Sequence, residues 1–425
     1  MSSVAQKPTR ARLLVLVLIS TATLINYLDR SVMGVAKPAL THDLHISPEV
    51  MGLIFSAFSW TYAFAQIPGG YVLDRLGTRL TYSLSLGFWS AFTALHAAMG
   101  SVAGLLSARL ALGLAEAPCF PANSRVLSTW FPQNERAKAT GVYTVGEYVG
   151  LGLLLPVLGW LLTHFGWRTL FVIVGGIGVA FSLIFHTLYR DPDQSSRINA
   201  GELALIKAGG GVSASVAALP FSWANVAKLV TRRQIVGVSI GQFCSNSTLV
   251  FFLTWFPSYL ESRGMSFAKS GFLVSLPYLG ASVGVLVGGT ISDWLIRRTG
   301  SPTIGRKAPI IVGLLLISSM LSVNVLNTNA AVIAVMTLVF FGQGLAGLGW
   351  TLLADVAAPE MLGLSAGVFN FFLNLAGIVT PLVVGFVVGA TGGYVGALAY
   401  IGALGLIGAA AYIFVLGPVE RVRID

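Results

Sequence analysis

Five charged side chains stand within stretches of sequence that are otherwise apolar. Two are adjacent in the segment INYLDRSVMG at positions 25–34, and the complete set is Asp29, Arg30, Arg109, Glu116 and Glu147. A charge at the centre of a bilayer costs about 2.5–3.5 kcal/mol on insertion scales, so such residues are rare and mark pathways when they are paired. An arginine can hold a carboxylate through two parallel hydrogen bonds, whereas a buried carboxyl group can take up and release a proton. This combination favours the binding of an organic anion together with a proton.

The spacing of these residues predicts how they pair. Neighbouring residues on a helix point about 100° apart, so Asp29 and Arg30 require separate partners. Arg109 and Glu116 are seven residues apart on one helix face, with Gly113 between them leaving room for another side chain. We therefore predict an Asp29–Arg109 pair. A second predicted pair joins Arg30 to Glu116. Three acids and two bases do not balance, so we expect at least one carboxylate to be protonated or to face a water-filled cavity during part of a cycle.

The elements that position these residues are predicted to be membrane-spanning helices. Of the 425 residues, 55% are hydrophobic and only 10% are charged, which indicates a polytopic membrane protein. A helix needs roughly 20 apolar residues to cross a bilayer. Suitable segments lie at 13–36, 50–73, 80–99, 102–127, 137–163, 168–188, 233–260, 267–296, 308–327, 330–354, 361–389 and 394–417. No small-residue cleavage site follows the first segment, so we interpret it as an uncleaved span rather than a signal peptide.

The formal net charge of +10 reflects the predicted topology. With the N-terminus placed in the cytoplasm, most of the 26 lysines and arginines fall on the cytoplasmic side. Those outside are Lys37, Arg168, Arg263 and Lys269. This asymmetry is typical of cytoplasmic loops and places both termini in the cytoplasm. We therefore expect the lipid bilayer, and not nucleic acid, to be the partner of the basic residues.

A polar, glycine-containing stretch at residues 189–232 divides the predicted spans six and six. The two sides resemble each other, since GGYVLDRLGTR after the second span matches GGTISDWLIRRTG after the eighth, with Asp74 and Asp293 at the same place. Parallel six-span repeats with a site between them are an established transporter architecture. We predict an all-α integral membrane protein of twelve helices, with an N-terminal six-helix bundle at 1–188, a cytoplasmic central loop at 189–232 and a C-terminal six-helix bundle at 233–425.

Several motifs carry a resemblance to a known family. GGYVLDRLGTR resembles the signature loop of the major facilitator superfamily, and RLALGLAEA at 109–117 is similar to its fourth-helix arginine motif. NYLDR, GLAEAPCFPANSRVLSTWFP and NFFLNLAGIVTPLVVG resemble the anion:cation symporter family within it, particularly bacterial carriers for galactonate, glucarate and hexuronates. The resemblance implies a symporter of the bacterial inner membrane that takes up a small organic anion, with a sugar acid favoured, by alternating access. Protons would be the coupling ion, with no other cofactor, and we expect a functional monomer.

The resemblance also implies roles for the charged residues. Protonation of Glu116 would free Arg30 to hold the anionic substrate, and Asp29 would be a second protonation site. Arg109 either takes part in proton coupling or simply locks helices together. Glu147 stands where galactonate-type carriers have a substrate-contacting glutamine. Its role as a proton site, a substrate ligand or a hydrogen-bonding group within its span stays open, and so does the exact substrate.

Uncharged polar side chains on three spans are candidates for the lining of the site. Tyr27 lies on the first span beside the arginine, and Tyr62 forms an i, i+4 pair with Gln66 on the second. On the seventh span Gln242 and Asn246 have the same spacing. Each of these side chains either offers hydroxyl or amide groups to a polyol acid or serves ordinary packing between helices.

The eleventh span carries one helical stripe of small and amide residues, namely Gly363, Gly367, Asn370, Asn374, Gly377 and Pro381. This stripe is predicted to face protein or a cavity rather than lipid. By resemblance Asn370 reads substrate hydroxyls, and Asn374 either does the same or bridges helices. Trp350, in the run GQGLAGLGW, either stacks on the substrate or anchors its span at the interface.

Charged residues at the cytoplasmic ends are predicted to act as a conformational latch. Asp74 and Asp293 follow the repeated glycines, and Arg75 and Arg79 lie one and five residues after the first of these aspartates. An aspartate near a helix N-terminus and arginines across the bundle interface would hold one state. The glycine pair at 284–288 is predicted to serve helix packing.

Other function classes fit the sequence less well. An enzyme would need a nucleophile with a base or a metal set, but the histidines lack ligand spacing and fall at positions 42, 45, 96, 164 and 186. We therefore expect neither an enzyme nor a metal site. A channel would require a symmetric filter or a charged ring, and the interior charges fall in one half only. The alternative that stays open is an anion exchanger or facilitator for small carboxylates, because Arg30 alone suffices to bind an anion.

Overall fold

The computed structural model describes residues 7–210, 222–265, 271–358 and 361–422, and these ranges contain helices and turns but no strand. The α-helices, in chain order, are α1 (Ala11–Leu44), α2 (Pro48–Leu95), α3 (Val102–Glu116), α4 (Cys119–Trp130), α5 (Gln133–Leu188), α6 (Ala200–Ala208), α7 (Trp223–Val230), α8 (Arg233–Thr254), α9 (Phe256–Ser262), α10 (Leu276–Thr299), α11 (Pro302–Ser318), α12 (Asn329–Ala346), α13 (Gly349–Val356), α14 (Leu362–Thr391) and α15 (Val395–Ala410). Short 3₁₀ turns lie at His96–Ala98, Pro192–Gln194, Gly271–Ser275 and Ser319–Val325, and a π-turn lies at Ala411–Val415.

Hydroxyl side chains fix where several helices begin. The caps are Ser47 for α2, Ser101 for α3, Ser301 for α11 and Thr328 for α12, and each accepts a hydrogen bond from the backbone N–H three residues on. Such a cap satisfies one of the N–H groups that a helix leaves without a partner at its start. At the other end, Gly300 and Gly392 close α10 and α14 in the left-handed conformation that glycine adopts without strain.

Nine of the described helical stretches are long and apolar enough to cross a membrane, and a bent pair over Pro48–Ala98 makes ten. Two helices are much longer than a bilayer requires, because α2 has 48 residues and α5 has 56. Each leaves helical geometry at one glycine, with φ 77° and ψ 166° at Gly77 and φ 77° and ψ 168° at Gly166. Those angles are essentially restricted to glycine. The sequence analysis predicts two spans in each of these stretches.

The first span is longer than predicted. It continues past residue 36 to Leu44, and Pro38 lies inside it without ending it. The prediction ended where the hydropathy falls at Lys37. In the structure this part of α1 packs against α8 and α9, so that Leu40 is fully buried and Lys37 is 8% exposed. Tertiary contacts therefore continue the helix beyond its apolar core.

Three predicted spans are interrupted. The span at 102–127 divides into α3 and α4 next to Pro118, the span at 233–260 divides into α8 and α9 at Trp255, and the span at 330–354 divides into α12 and α13 at Gly347. Proline lacks the N–H that continues a helix, and glycine weakens it, which explains the breaks next to Pro118 and at Gly347. The break at Trp255 is followed by Pro257, which lies in the first turn of α9. The ninth span begins at Pro302 rather than 308, because the Ser301 cap starts it earlier.

Two parts of the chain meet at one end of the molecule. We refer to residues 7–188 as the N-terminal half and to residues 233–422 as the C-terminal half. A Cβ placed on Gly385 of α14 would lie 2.7 Å from the carbonyl oxygen of Pro48, and a Cβ on Gly34 of α1 would clash with the carbonyl of Leu253. The backbones of α2 and α14, and of α1 and α8, therefore touch where α1 ends and α2 begins.

Aromatic side chains from the two halves also pack together at this end. Trp255 is fully buried, with its ring centroid 5.6 Å from that of Phe55 and 4.8 Å from the ammonium nitrogen of Lys37. Away from this end, the described residues form no ion pair between the two halves, and a hydrogen bond between the side chains of Gln66 and Asn370 links them part of the way along α2. The halves are thus closed at one end and separate towards the other.

Glycines also bring helices together inside the C-terminal half. A Cβ on Gly284 would clash with the carbonyl oxygen of Phe341, and one on Gly288 would lie 3.2 Å from the Cα of Leu345. These contacts join α10 to α12. They confirm the prediction that the glycine pair at 284–288 serves helix packing.

The N-terminal segment is fastened to the central segment before α1 begins. Glu202 of α6 accepts hydrogen bonds from the Thr9 hydroxyl and the Ala11 N–H, and it forms a 2.9 Å ion pair with Arg12, which also binds Glu135 at 2.8 Å. Burial alone would raise the pKa of Glu202. The hydrogen bonds from Thr9 and Arg12 outweigh it, so the pKa of this carboxyl lies below its ordinary value.

Candidate functional site

Arg30 and Glu116 form an ion pair in the interior, which confirms the predicted pairing. The Nε atom of Arg30 donates to Oε1 of Glu116 at 2.7 Å, and Nη2 donates to the same oxygen. The Glu116 side chain is fully buried, and that of Arg30 is 16% exposed. The second carboxylate oxygen, Oε2, has no hydrogen-bond partner within the described residues. The pair therefore leaves acceptor capacity unused on Glu116.

Four aromatic rings, which we call the aromatic cage, surround the Arg30 guanidinium. Its central carbon lies 4.8 Å from the ring centroid of Tyr62, 4.9 Å from Phe58, 5.3 Å from Tyr27 and 5.9 Å from Phe120. Cation–π contact at these distances stabilises a cation that is partly removed from water. The sequence analysis predicted both tyrosines at the site and missed both phenylalanines. Phe58 was detectable, because it lies one turn before Tyr62 and stacks on it at 5.2 Å.

Gly113 fits α3 tightly against α2. A Cβ at this position would clash with the carbonyl oxygen of Phe58, and the neighbouring Thr61 hydroxyl donates to the carbonyl of Leu110 at 2.6 Å. The sequence analysis expected space for a side chain here. The backbone of α2 fills that space instead, and this close contact positions the Phe58 ring beside Arg30.

The predicted Asp29–Arg109 pair is not formed in this structure. The Nη2 atom of Arg109 donates to the carbonyl of Phe55 at 3.4 Å, its guanidinium lies 5.1 Å from the Phe58 centroid, and it has no carboxylate within 4.0 Å among the described residues. Arg109 is only 3% exposed. It packs between α3 and α2, and this position supports the reading in which it locks helices.

Asp29 faces a different helix from the one predicted. Its Oδ2 atom accepts from the Ser90 hydroxyl of α2 at 3.5 Å, and Trp89 and Thr93 lie beside it. The side chain is 1% exposed. Asp29 and Arg30 therefore have separate partners, as their 100° offset requires, but the partner of Asp29 is a hydroxyl rather than a guanidinium.

Glu147 lies at the edge of the aromatic cage. It is 4% exposed, and its carboxylate is close to the Tyr27 hydroxyl and to the Arg30 guanidinium. Gly150, one turn further along α5, packs against Leu24 of α1 and so turns this face of α5 towards α1. The structure thus brings a second acid, besides Glu116, to the Arg30 site.

Amides from the C-terminal half reach the same region. The Asn370 amide donates to Oε1 of Gln66 at 2.8 Å and so joins the two halves. The Asn374 amide donates to the backbone carbonyl of Asn370 at 2.8 Å. Asn374 therefore supports Asn370 from one turn away.

The other predicted residues of the C-terminal half lie further inside it or at its surface. The side-chain amide of Asn246 donates a hydrogen bond to the backbone carbonyl of Leu373 at 2.8 Å, so it takes part in the contact between α8 and α14. Gln242 lies against Gly349, and its side-chain oxygen has no hydrogen-bond partner among the described residues. Trp350 is 46% exposed and packs edge-on against Phe369 at 4.6 Å, next to Asn370 in sequence.

One buried amide was missed by the sequence analysis. Gln343 of α12 is 4% exposed, accepts a hydrogen bond from Ser245, and lies beside the hydroxyl of Tyr148 in the N-terminal half. It belongs to the run GQGLAGLGW, in which only the tryptophan was selected. The glycines on either side of it were the available signal, because they allow helices to approach.

The predicted latch residues are engaged, but each within its own half. Asp74 pairs with Arg125 at 3.0 Å and Asp293 with Arg306 at 3.3 Å. Arg79 donates to the His186 carbonyl at 2.8 Å, and Arg75 stacks on Tyr71 at 5.2 Å. Every contact described for these four residues therefore lies within one half and none crosses the bundle interface.

Comparison with known proteins identifies relatives over the full length. The sequence profile of the Major Facilitator Superfamily matches residues 19–381. The probable galactarate/D-glucarate transporter GudP of Escherichia coli (strain K12) is 40% identical and is matched over 100% of this chain and 97% of its own length. The D-galactonate transporter of Escherichia coli O6:H1 is 41% identical, with 98% of each chain covered. The hexuronate transporter of Bacillus subtilis (strain 168) is 29% identical over 97% of this chain and 96% of its own.

Solved structures share the fold at low sequence identity. The inward open conformation of the xylose transporter XylE from E. coli aligns with a TM-score of 0.74 at 14% identity, covering 96% of this chain and 97% of that one. A bacterial homologue of the human lysosomal transporter Spinster, in an inward-facing and occupied conformation, aligns with a TM-score of 0.68 at 18% identity, covering 96% and 97%. These similarities concern the fold alone.

Proposed function

Because this chain belongs to the Major Facilitator Superfamily, we propose that it is a proton-coupled symporter that imports a sugar acid by alternating access. It is a multi-pass membrane transporter, and its relatives are transporters rather than enzymes. The substrates that the names of those relatives give are sugar acids. Such molecules combine a carboxylate with a row of hydroxyls. A guanidinium recognises the first, and amides and tyrosine hydroxyls recognise the second.

The proposal includes twelve crossings of a bacterial plasma membrane, with both termini in the cytoplasm. At 1.5 Å per residue, an unbroken helix of 48 residues would span roughly 70 Å, more than twice the hydrocarbon core. The glycine breaks at Gly77 and Gly166 therefore support two crossings each for α2 and α5. An even number of crossings puts both termini on one side, and the excess of basic residues there makes it the cytoplasmic side.

The observation that carries the proposed function is the Arg30–Glu116 ion pair inside the aromatic cage. Glu116 is the one carboxylate within ion-pair distance of Arg30 among the described residues. When Glu116 binds a proton, Arg30 is left as a permanent cation without an anion in a poorly solvated site. A substrate carboxylate then takes the place of Glu116. Proton and anion therefore bind together and are carried together.

Release follows from the reverse exchange. The halves touch at the end where α1 meets α8 and separate towards the other end, which supports a state with the site open to the cytoplasm. When Glu116 loses its proton there, its carboxylate competes with the substrate for Arg30 and ejects it. The ion pair in this structure is the arrangement expected after release.

Asp29 is proposed as a second proton site. It is buried with a hydroxyl and no cation beside it, and an isolated charge in such a place is costly. Two protons with one monovalent anion would carry a net positive charge inward, and a membrane potential of about 100 mV would then contribute about 2.3 kcal/mol. We expect a potassium diffusion potential, negative inside, to accelerate uptake into proteoliposomes; electroneutral uptake would remove the second proton.

The test of coupling is Glu116→Gln in proteoliposomes. The variant mimics protonated Glu116, so we expect counterflow of labelled D-galactonate to persist while accumulation driven by a pH gradient is abolished. Glu420→Gln, at an exposed position, is the matched control and should behave as the wild type. Concentrative uptake by the Glu116→Gln variant would overturn the coupling role.

A protonophore on the wild type separates the two kinds of carrier. For a symporter, collapse of the proton gradient stops accumulation of the acid but leaves exchange of labelled for unlabelled substrate. Uptake that ignores the protonophore would identify an exchanger or facilitator, in which Arg30 binds the anion without proton coupling.

A further inference from the structure

Glu147 is the interior acid that the proposed cycle does not use. It sits on the face of α5 that packs against α1, close to both Tyr27 and Arg30. Its side chain is almost completely buried, and no ion pair includes it within the described residues. A carboxylate at the edge of the aromatic cage is therefore within reach of whatever binds to Arg30.

The same stretch of α5 borders the space between the two halves. A Cβ on Gly146 would meet no atom within 4 Å. The ring of Tyr148 lies 5.8 Å from that of Phe340 in the C-terminal half. Glu147 lies between these residues in sequence. Glu147 itself is close to the Arg30 guanidinium, so a substrate that is anchored at Arg30 and extends towards the C-terminal half passes near its carboxylate.

Among the residues that the structure describes, Arg30 is the cation that faces this space. The guanidinium groups of Arg30 and Arg109 lie 4.9 Å and 5.1 Å from the centroid of the same Phe58 ring. Arg109 is 3% exposed and is held against the Phe55 carbonyl. Because the Phe58 ring contacts both, Arg109 is part of the α2–α3 packing, and Arg30 alone is available to an incoming anion.

The C-terminal half adds hydrogen-bonding groups but no positive charge. Every buried polar side chain described between residues 233 and 422 is a serine, threonine, asparagine or glutamine. Gln343, Asn370 and Asn374 are the amides nearest to the N-terminal half. They can donate to hydroxyls along a polyol chain, but they cannot neutralise a second carboxylate.

We propose that Glu147 makes this carrier selective for sugar acids with one carboxylate over sugar acids with a carboxylate at each end. This inference rests on the proposed function and names the substrate class of the same site. A monoanion places its carboxylate on Arg30 and lets its hydroxyls donate to Glu147. A dianion brings a second negative charge into a space that contains one cation and one further acid. Such discrimination by repulsion is a general route to specificity.

The experiment measures how unlabelled acids inhibit uptake of labelled D-galactonate by the purified protein in liposomes. For the wild type we expect D-galactonate, a monoanion, to inhibit at a concentration at least about 10-fold lower than galactarate, a dianion. In Glu147→Gln the ratio should fall below about 3-fold, chiefly because galactarate inhibits better. Glu420→Gln, which removes an exposed carboxylate, should keep the wild-type ratio.

Two further results decide between explanations. Glu147→Asp retains the charge and should retain the preference; loss of the preference in both variants would show that side-chain shape, not charge, is responsible, and would overturn the inference. A wild-type protein that takes up both acids equally, or that prefers galactarate, overturns it without any variant and leaves the proposed function standing. Uptake of neither acid by the wild type would overturn the proposed function itself, and the selectivity with it.

Discussion

The two halves of this transporter use different chemistry in their interiors. In the N-terminal half the buried polar side chains include Asp29, Lys37, Arg109, Glu116 and Glu147. In the described part of the C-terminal half, the buried polar side chains are hydroxyls and amides without exception. Among the described residues, buried charges are therefore concentrated on one side of the site, and neutral hydrogen-bonding groups on the other.

This difference separates two tasks that a symporter must perform. Ion pairs that form and break set the coupling between proton and anion, and they require titratable groups close together. Recognition of a hydroxyl chain requires fixed donors and acceptors, for which amides suffice. In the proposed alternating-access cycle each half would move as a unit, so keeping the buried acids in one half would preserve their mutual distances while the other half moves.

The largest expected effect is that of Arg30→Ala. Arg30 is proposed to hold the substrate carboxylate through two hydrogen bonds to a charged group, each contributing about 1.5–3 kcal/mol, so uptake should fall at least ~100-fold, whereas Arg297→Ala at an exposed position should leave it unchanged. The double variant Arg30→Ala with Glu116→Gln removes the unpaired acid and should melt at a higher temperature than Arg30→Ala alone, yet still fail to transport. Residual transport near the wild-type rate would mean that the amides alone hold the anion.

A smaller effect is expected in the C-terminal half, from Asn370→Ala. Loss of about 1–2 kcal/mol of hydrogen bonding should raise KM about 5- to 30-fold with little change in kcat. Because Asn370 donates to Gln66 at 2.8 Å, a double-mutant cycle with Gln66→Ala should show coupling. Asn327→Ala, at an exposed position, is the control. Loss of proton coupling in Asn370→Ala would contradict the division of tasks.

The cytoplasmic ends offer a finer comparison of the halves. Arg306 bridges Asp355 at 2.8 Å and Asp293 at 3.3 Å with 17% exposure, whereas Arg125 binds Asp74 at 3.0 Å with 37% and 79% exposure of the two partners. Exposed pairs contribute little. We therefore expect Arg306→Ala to reduce initial transport rates about 3- to 10-fold and Arg125→Ala to change them less than about 2-fold. Equal effects of the two substitutions on the transport rate would show that the burial of these ion pairs does not determine how much they contribute.

The smallest expected effect concerns stability at the two ends of the chain. The pKa of Glu202 is lowered in the folded state. Its contribution to the free energy of unfolding is therefore fully present above the pKa of an unfolded glutamate, about 4.3, and is lost as the pH falls through the pKa of the folded state. Glu202→Gln should lower the melting temperature by a few degrees at pH 7 and by progressively less below about pH 4. The C-terminal tail is held by the Val419 N–H on the Thr303 hydroxyl, so Thr303→Ala should act independently of pH.

Much of the site could be predicted from the sequence. Charges in apolar spans are conspicuous, and helical periodicity correctly separates the partners of Asp29 and Arg30. The Arg30–Glu116 pair follows from that geometry. Periodicity, however, gives only the direction in which a side chain points from its own helix. Which groups meet also depends on the other helices that pack against it, here α2. In this structure α2 supplies Ser90 to Asp29 and the Phe55 carbonyl to Arg109, so the predicted pair between these two residues does not form.

The remaining differences have similar physical causes. Hydropathy ends the first span near Lys37, because the contact with α8 and α9 that continues the helix is invisible to it. Phe120 is one of 25 phenylalanines, and composition alone cannot single it out. Among the described residues, the latch residues make no contact between the halves. Such contacts depend on the conformational state of the transporter, and the sequence does not specify which state a structure shows.

The indole of Trp255 has a further consequence. It is shielded from solvent by Phe55 and Lys37 at the closed end of the molecule, and separation of the halves at that end would wet it. Its fluorescence should then shift to longer wavelength and become accessible to a water-soluble quencher. The chain therefore contains an intrinsic optical probe of turnover, whose signal can be isolated from that of the other tryptophans by subtracting the spectrum of Trp255→Phe.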